Sequence, residues 1–254
     1  MVVEPSIPKV PFQEPDDEEL NWVEIFYRLF RGRYVFLGKP LDNEASDLIL
    51  KSMFYLNKEN KKKNFMFFVN CRGGGMAAGI AVYDCMQYVT ADVTSIGLGL
   101  IASMGAFVLH GGTPPKRALS RNGRIMIHQP HMSPYDIQPE SDFTDIDFEA
   151  FYLRYMRQYI TDIYVESAKD YFHLIHRLME RDIYLSPYEA VQLCIVDQVD
   201  FKGLYPPPKD DEDNENGVYD IDIYDVNDVN YENYDNDDND DNDDNDDNSD
   251  DWFI

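Results

Sequence analysis

Ser95–Gly112, SIGLGLIASMGAFVLHGG, decides how the rest of the chain is read, because it combines an uncharged run with small residues packed around one serine. Ser103 is followed by Met104, Gly105 and an apolar run from Ala106 to Leu109, a pattern that predicts a buried strand turning into a buried helix with the serine at the turn. A helix starting there leaves its first backbone N–H groups without intrahelical partners, beside the serine oxygen or an anion next to it. That is a suitable seat for a nucleophile. Ala102, Ser103 and Gly105 would equally permit close helix packing, so this stretch alone leaves both roles open.

The 254 residues are enough for one well-buried domain with extensions. The net charge of -26 is unevenly placed: the segment from Asp210 onward holds 21 of the 48 acidic residues and no Lys or Arg, leaving 27 acids against all 22 bases elsewhere. The domain is therefore only mildly acidic, and the whole-chain value says little about its working surface. Lys61–Lys63 is too short a basic run for a nucleic-acid footprint. Cys71, Cys85 and Cys194 are odd in number and form no CxxC, so neither a disulfide framework nor a zinc site is expected, and a reducing compartment fits. The acidic, Pro-rich MVVEPSIPKVPFQEPDDEEL is unlike a signal or transit peptide, and Gly97–Leu109 is too short to cross a bilayer, so a soluble protein with no membrane association is expected.

In chain order, residues 1–20, with Pro5, Pro8, Pro11 and Pro15, read as a mobile or extended arm. Asn21–Arg31 reads as a short amphipathic helix, Tyr34–Leu37 as a strand, and the spacing of Ala45, Leu48, Ile49, Ser52, Met53 and Leu56 as an amphipathic helix with Asn43 as its cap. Phe65–Val69 has strand length and runs into Asn70-Cys71-Arg72-Gly73-Gly74-Gly75, followed by a helix over Met76–Val89. This strand, glycine turn and helix repeats the layout around Ser103, and both turns fall at the C-terminal end of a strand, where α/β folds gather ligand chemistry. No GK[ST] follows the glycines, which argues against a phosphate loop.

Arg124–Ile127 reads as a strand ending on His128, and Phe143–Ser167 as a long helix whose Phe148, Phe151, Tyr152, Tyr155 and Ile163 spread around its circumference. That spread suits a helix of the core or one touching a second subunit. A further helix is expected over Tyr171–Glu180, a capping box at Ser186-Pro187-Tyr188-Glu189, and a last strand at Ile195–Val199. The domain is expected to span residues 21–204. Residues 205–254, rich in Asp and Asn, read as a disordered acidic tail, since they cannot bury enough apolar surface to offset their ordering entropy.

Gly73-Gly74 before a helix, Gly99-Leu100-Ile101-Ala102-Ser103-Met104-Gly105-Ala106-Phe107, Met126-Ile127-His128-Gln129-Pro130 and Glu180-Arg181-Asp182-Ile183-Tyr184-Leu185-Ser186 occur in an order and spacing that resemble the ClpP peptidases, proteolytic subunits of ATP-dependent Clp proteases. The resemblance covers about residues 5–201, and IPKVPF followed by NWVEIFYRLFRGRYVFLG is most similar to the plastid-encoded branch. It implies an α/β, ClpP/crotonase-like fold of repeated ββα units with Phe143–Ser167 projecting as a handle. It further implies Ser103 as nucleophile, His128 as general base, Asp182 as the residue orienting the imidazole, and the backbone N–H groups of Gly74 and Met104 as an oxyanion hole. An unassisted hydroxyl is a poor nucleophile, which is why such a base and carboxylate are needed.

The resemblance implies no cofactor or metal in this chain, ATP being used by a partner AAA+ Clp chaperone. The implied partners are homologous Clp subunits in stacked heptameric rings and unfolded polypeptide substrate, in the chloroplast stroma. Three departures stand out. The family's Asn-Ser-Pro-Gly-Gly is here Asn70-Cys71-Arg72-Gly73-Gly74, His131–Asp142 lacks the family's glycines, and Cys194 replaces a glycine. Two other readings are a catalytically silent architectural subunit of a mixed ring and, on the wider fold family, an acyl-CoA-binding crotonase-type enzyme.

Overall fold

The computed structural model describes residues 7–12, 21–131, 143–168 and 171–201. Two short strands, β1 (Lys9–Phe12) and β2 (Asn21–Glu24), pair antiparallel with Val10 opposite Val23, and α1 (Ile25–Arg31) follows. The helix expected from Asn21 thus starts four residues later, because residues 21–24 are drawn into a ladder with a segment that local periodicity does not reveal. Among the residues of the expected N-terminal arm, β1 is the described element; the tail expected at 205–254 lies outside the described residues.

Next come β3 (Tyr34–Leu37), α2 (Asn43–Glu59), β4 (Phe65–Val69), α3 (Met76–Tyr88), β5 (Val93–Gly97), β6 (Leu100–Ala102), α4 (Met104–His110), β7 (Arg117–Leu119) and β8 (Arg124–Ile127). The chain then forms α5 (Phe143–Ser167), α6 (Phe172–Leu178), β9 (Ile183–Leu185), α7 (Pro187–Gln192) and β10 (Gln198–Val199). Helix α2 is capped by Asp42, whose carboxylate accepts the Ala45 N–H at 2.7 Å, one residue before the expected Asn43. Ser186 and Glu189 form the reciprocal capping box of α7 as the sequence predicts.

The larger sheet has the order β10-β7-β5-β4-β3 with every pair parallel. Its helices bury Phe65, Phe67 and Val69 of β4 against Met53 and Leu56 of α2 and Val82 of α3. A parallel sheet needs such cover, since each crossover helix returns the chain across its face. Helix α4 is buried over its whole length, which explains why Met104–His110 carries no charged side chain. A smaller sheet, β6-β8-β9, joins β6 to β8 in parallel and β8 to β9 antiparallel. Helix α5 buries Met156, Ile160 and Tyr164 but leaves Phe148, Phe151 and Tyr155 exposed, so its C-terminal half belongs to the core.

The last strand is shorter than the expected Ile195–Val199. Cys194 turns at φ 54°, and the N–H groups of Ile195 and Val196 bond the Ala190 carbonyl, so both residues close the end of α7 instead of joining the sheet. Asp197 then crosses to β7, where it accepts from Arg117 through Nε at 3.0 Å, Nη2 at 2.7 Å and the backbone N–H at 2.9 Å. The Arg117 and Asp197 side chains are only 4% and 17% exposed. His110 Nδ1 lies 2.9 Å from Arg117 Nη1 and 3.0 Å from the Ile195 carbonyl; the guanidinium can only donate and the carbonyl can only accept, so the two compete for that nitrogen. Burial first, and the Arg117 charge second, lower the His110 pKa to about 4.

Removing one member of a buried bidentate pair leaves the other charge uncompensated, which is worse than replacing both. Asp197→Ala is expected to cost about 3 kcal/mol in chemical denaturation, and Arg117→Met combined with Asp197→Leu distinctly less; equal losses would remove the electrostatic account. His110 binds a proton less readily folded than unfolded, so its contribution is full above pH 6.5 and declines as pH falls toward 4. Between pH 7 and 5 the chain should lose about 2 kcal/mol that His110→Gln does not lose, measured by denaturation at both pH values.

Candidate active site

The register of the smaller sheet assembles the site. Ala102 ends β6 opposite Met126 of β8, and the Ser103 N–H extends that ladder by donating to Met126 O at 2.8 Å. Ile127 ends β8 opposite Ile183 at the start of β9. The next residue along β8 is His128 and the one before β9 is Asp182, so three positions far apart in sequence meet at one edge. His128 Nε2 lies 2.9 Å from Ser103 Oγ and His128 Nδ1 lies 3.0 Å from Asp182 Oδ1.

The acceptor carboxylate fixes the imidazole tautomer: Nδ1–H donates to Asp182, so Nε2 is left as the acceptor facing the Ser103 hydroxyl. The His128 side chain is 12% exposed and that of Asp182 66%, so the imidazole is enclosed while its carboxylate partner stands in solvent. Ser103 caps α4 with φ 55° and ψ −126°, a conformation that a residue with a Cβ adopts only under strain. The strain arises because the chain reverses from strand into helix within one residue, holding the hydroxyl away from both elements.

Gly73 and Gly74 pass directly under this turn with φ 108° and 154°. A Cβ on Gly73 would lie 2.7 Å from the Ser103 Cβ, so only glycine admits this approach. Leu41 forms a parallel bridge with Gly74: its N–H donates to Gly73 O and its carbonyl accepts from Gly75 N–H, both at 2.9 Å. In such a bridge the central residue's own N–H points away from the partner, which turns the Gly74 N–H off Leu41. Met104 is the first residue of α4, so its N–H has no intrahelical partner either. Its side chain is buried against Gly79 of α3.

Gly74, Ser103, Met104 and His128 line one cavity of about 340 Å³ together with apolar Met76, Phe107, Ile127 and Ile160. All five residues singled out from sequence therefore gather at one place, Asp182 behind the imidazole and the other four on the cavity wall. Sequence reading did not single out the rest of the wall. Ile160 and Tyr164 arrive from α5 and Met179 from beyond α6, and only tertiary packing brings them there. His131 also lines the cavity, its ring 5.0 Å from that of His128 and edge-on to it. Its only sequence signal is its place three residues after His128. Among the described residues no cluster of His, Cys, Asp or Glu could hold a metal ion, and no helix is long and apolar enough to cross a membrane.

The family model described as Clp protease matches residues 16–202. The ATP-dependent Clp protease proteolytic subunit of Pinus contorta is 39% identical over 194 residues, covering 76% of this chain and 93% of that protein. The proteins of the same name from Lotus japonicus and Staurastrum punctulatum are each 42% identical over 194 residues, covering 97% and 94% of their own lengths. A match of this extent at this identity places the chain in the Clp protease family.

Proposed function

We propose that the chain is a serine endopeptidase, the proteolytic subunit of an ATP-dependent Clp protease. The observation that carries this reading is the single imidazole held between a strained serine and a carboxylate, at 2.9 and 3.0 Å. His128 Nε2 takes the Ser103 proton as Oγ attacks the scissile carbonyl carbon. The carbonyl oxygen becomes an anion, for which Gly74 and Met104, two residues of the same cavity wall, would supply backbone N–H donors. Asp182 stabilises the imidazolium while it exists. His128 then gives the proton to the leaving amine, and water, deprotonated by the same imidazole, releases the acyl group from Ser103.

No step requires a metal or a cofactor. On the family relationship, the chain works with homologous subunits in stacked heptameric rings, on unfolded polypeptide delivered by an AAA+ chaperone that uses the ATP. The relatives named above come from plants and an alga, which supports a plastid stroma as the site of action. The Asp/Asn-rich segment 205–254 is read as a tail outside the peptidase domain.

In the assembled complex, a serine-reactive phosphonate should label the wild-type chain at Ser103. Ser103→Ala should abolish labelling and lower the peptidase rate due to this chain by at least about 10³-fold. A silent architectural subunit instead predicts no Ser103-dependent label and unchanged degradation. Asp182→Asn should lower kcat by about 10²-fold, less than for a fully buried orienting carboxylate, because water can partly replace this exposed one. Steady-state kinetics on a short fluorogenic peptide reads both variants.

A further inference from the structure

Cys71 follows β4 and is buried. Its side chain folds onto its own turn: the Gly73 N–H donates to Sγ at 3.3 Å, and the thiol lies 3.4 Å from Gly73 O, which it reaches as a donor. Burial pushes the thiol pKa up, so the proton needed for that second bond stays in place. Its carbonyl meanwhile accepts the Ala102 N–H at 2.8 Å, and a Cβ on Gly105 would run into the same carbonyl. One residue thus grips the peptide before Gly74 with its side chain and the residues on either side of Ser103 with its backbone.

Gly73 transmits this grip. It packs on Ser103 without a Cβ between them, and its carbonyl also accepts from Leu41. A rotation of the Gly73 peptide would therefore move the Gly74 N–H relative to the Met104 N–H, the two donors that must face one oxygen. Cys85, equally buried in α3, has no hydrogen bond to this turn and supplies a natural comparison.

We propose that Cys71 is a positioning residue for peptide hydrolysis, its thiol holding the Gly73 peptide so that the Gly74 and Met104 N–H groups converge on the developing oxyanion. This rests on the reading of Ser103 as the nucleophile. Cys71 touches no substrate, so its effect belongs in the transition state rather than in binding.

The test uses the full chain in its assembled complex, with a short fluorogenic peptide and a serine-reactive phosphonate as probes. Cys71→Ala should lower kcat and the phosphonate labelling rate together by about tenfold, less than the loss of a donor itself, with KM within about twofold. Cys71→Ser, which keeps a donor and acceptor at the same atom, should recover most of both. Cys85→Ala, which removes the same atom from the core, should leave kcat unchanged whatever it does to thermal stability. Wild-type kcat in Cys71→Ala, an equal loss in Cys85→Ala, or no recovery in Cys71→Ser would each overturn the proposal. Absence of phosphonate labelling at Ser103 of the wild-type chain in the complex would overturn the parent reading instead, a distinguishable result.

Discussion

The pairing of β8 with two different neighbours is the constraint on which the site depends. Parallel pairing with β6 brings the ends of both strands to one edge, so Ser103 and His128 leave the sheet side by side. Antiparallel pairing with β9 makes that same edge the beginning of the third strand, where Asp182 enters. Because side chains alternate with a period of two, a slip of one residue between β8 and either neighbour would turn a functional group to the opposite face. Ile101, Ile125 and Leu185, all buried, resist such a slip; it would put the exposed Arg124 or Tyr184 in the place of Ile125 or Leu185.

Helix α4 couples this edge to the centre of the domain. Its first residue, Met104, lines the cavity, and its last, His110, meets the Arg117–Asp197 pair. Between them every side chain is buried, and Phe107 packs against Tyr83 of α3 and Tyr164 of α5. A short helix of seven residues is marginal by itself, and most of its stability comes from this packing. The strain at Ser103 is sustained in the same way: the surroundings over-determine the turn, so the serine cannot relax without uncoupling α4 from its neighbours.

Much of this could be read from the residues alone. The uncharged run through Ser103, the apolar strand before Gly73 and the capping box at Ser186 are local patterns, and local patterns determine the elements they contain. What stayed hidden was non-local. The strand at Asn21–Glu24 looks helical until β1 is available to pair with it, and Ile195–Val196 looks like a strand until Ala190 claims both N–H groups. Strands β7 and β9 have three residues each, too few for a periodicity to show. For the site, the roles of Ser103, His128 and Asp182 are implied by the resemblance of four ordered motifs to the ClpP peptidases, whereas the apolar wall from α5 depends on packing that no spacing encodes.

The sequence Cys71-Arg72 raises a physical question, because Arg72 brings no ring to fix its backbone next to the Gly73-Gly74 turn. The structure answers it by distributing the restraint. Leu41 clamps the turn from one side with two backbone bonds, Ala102 fixes the Cys71 carbonyl from the other, and Ser103 leaves no room for Gly73 to move inward. A proline would restrict a single φ through the unfolded chain as much as the folded one, whereas these contacts act only once β3, β4 and β6 are in place. The order of the Gly73-Gly74 turn is therefore a property of the folded domain, and Arg72, exposed and outside all of these bonds, is free of the task of shaping it.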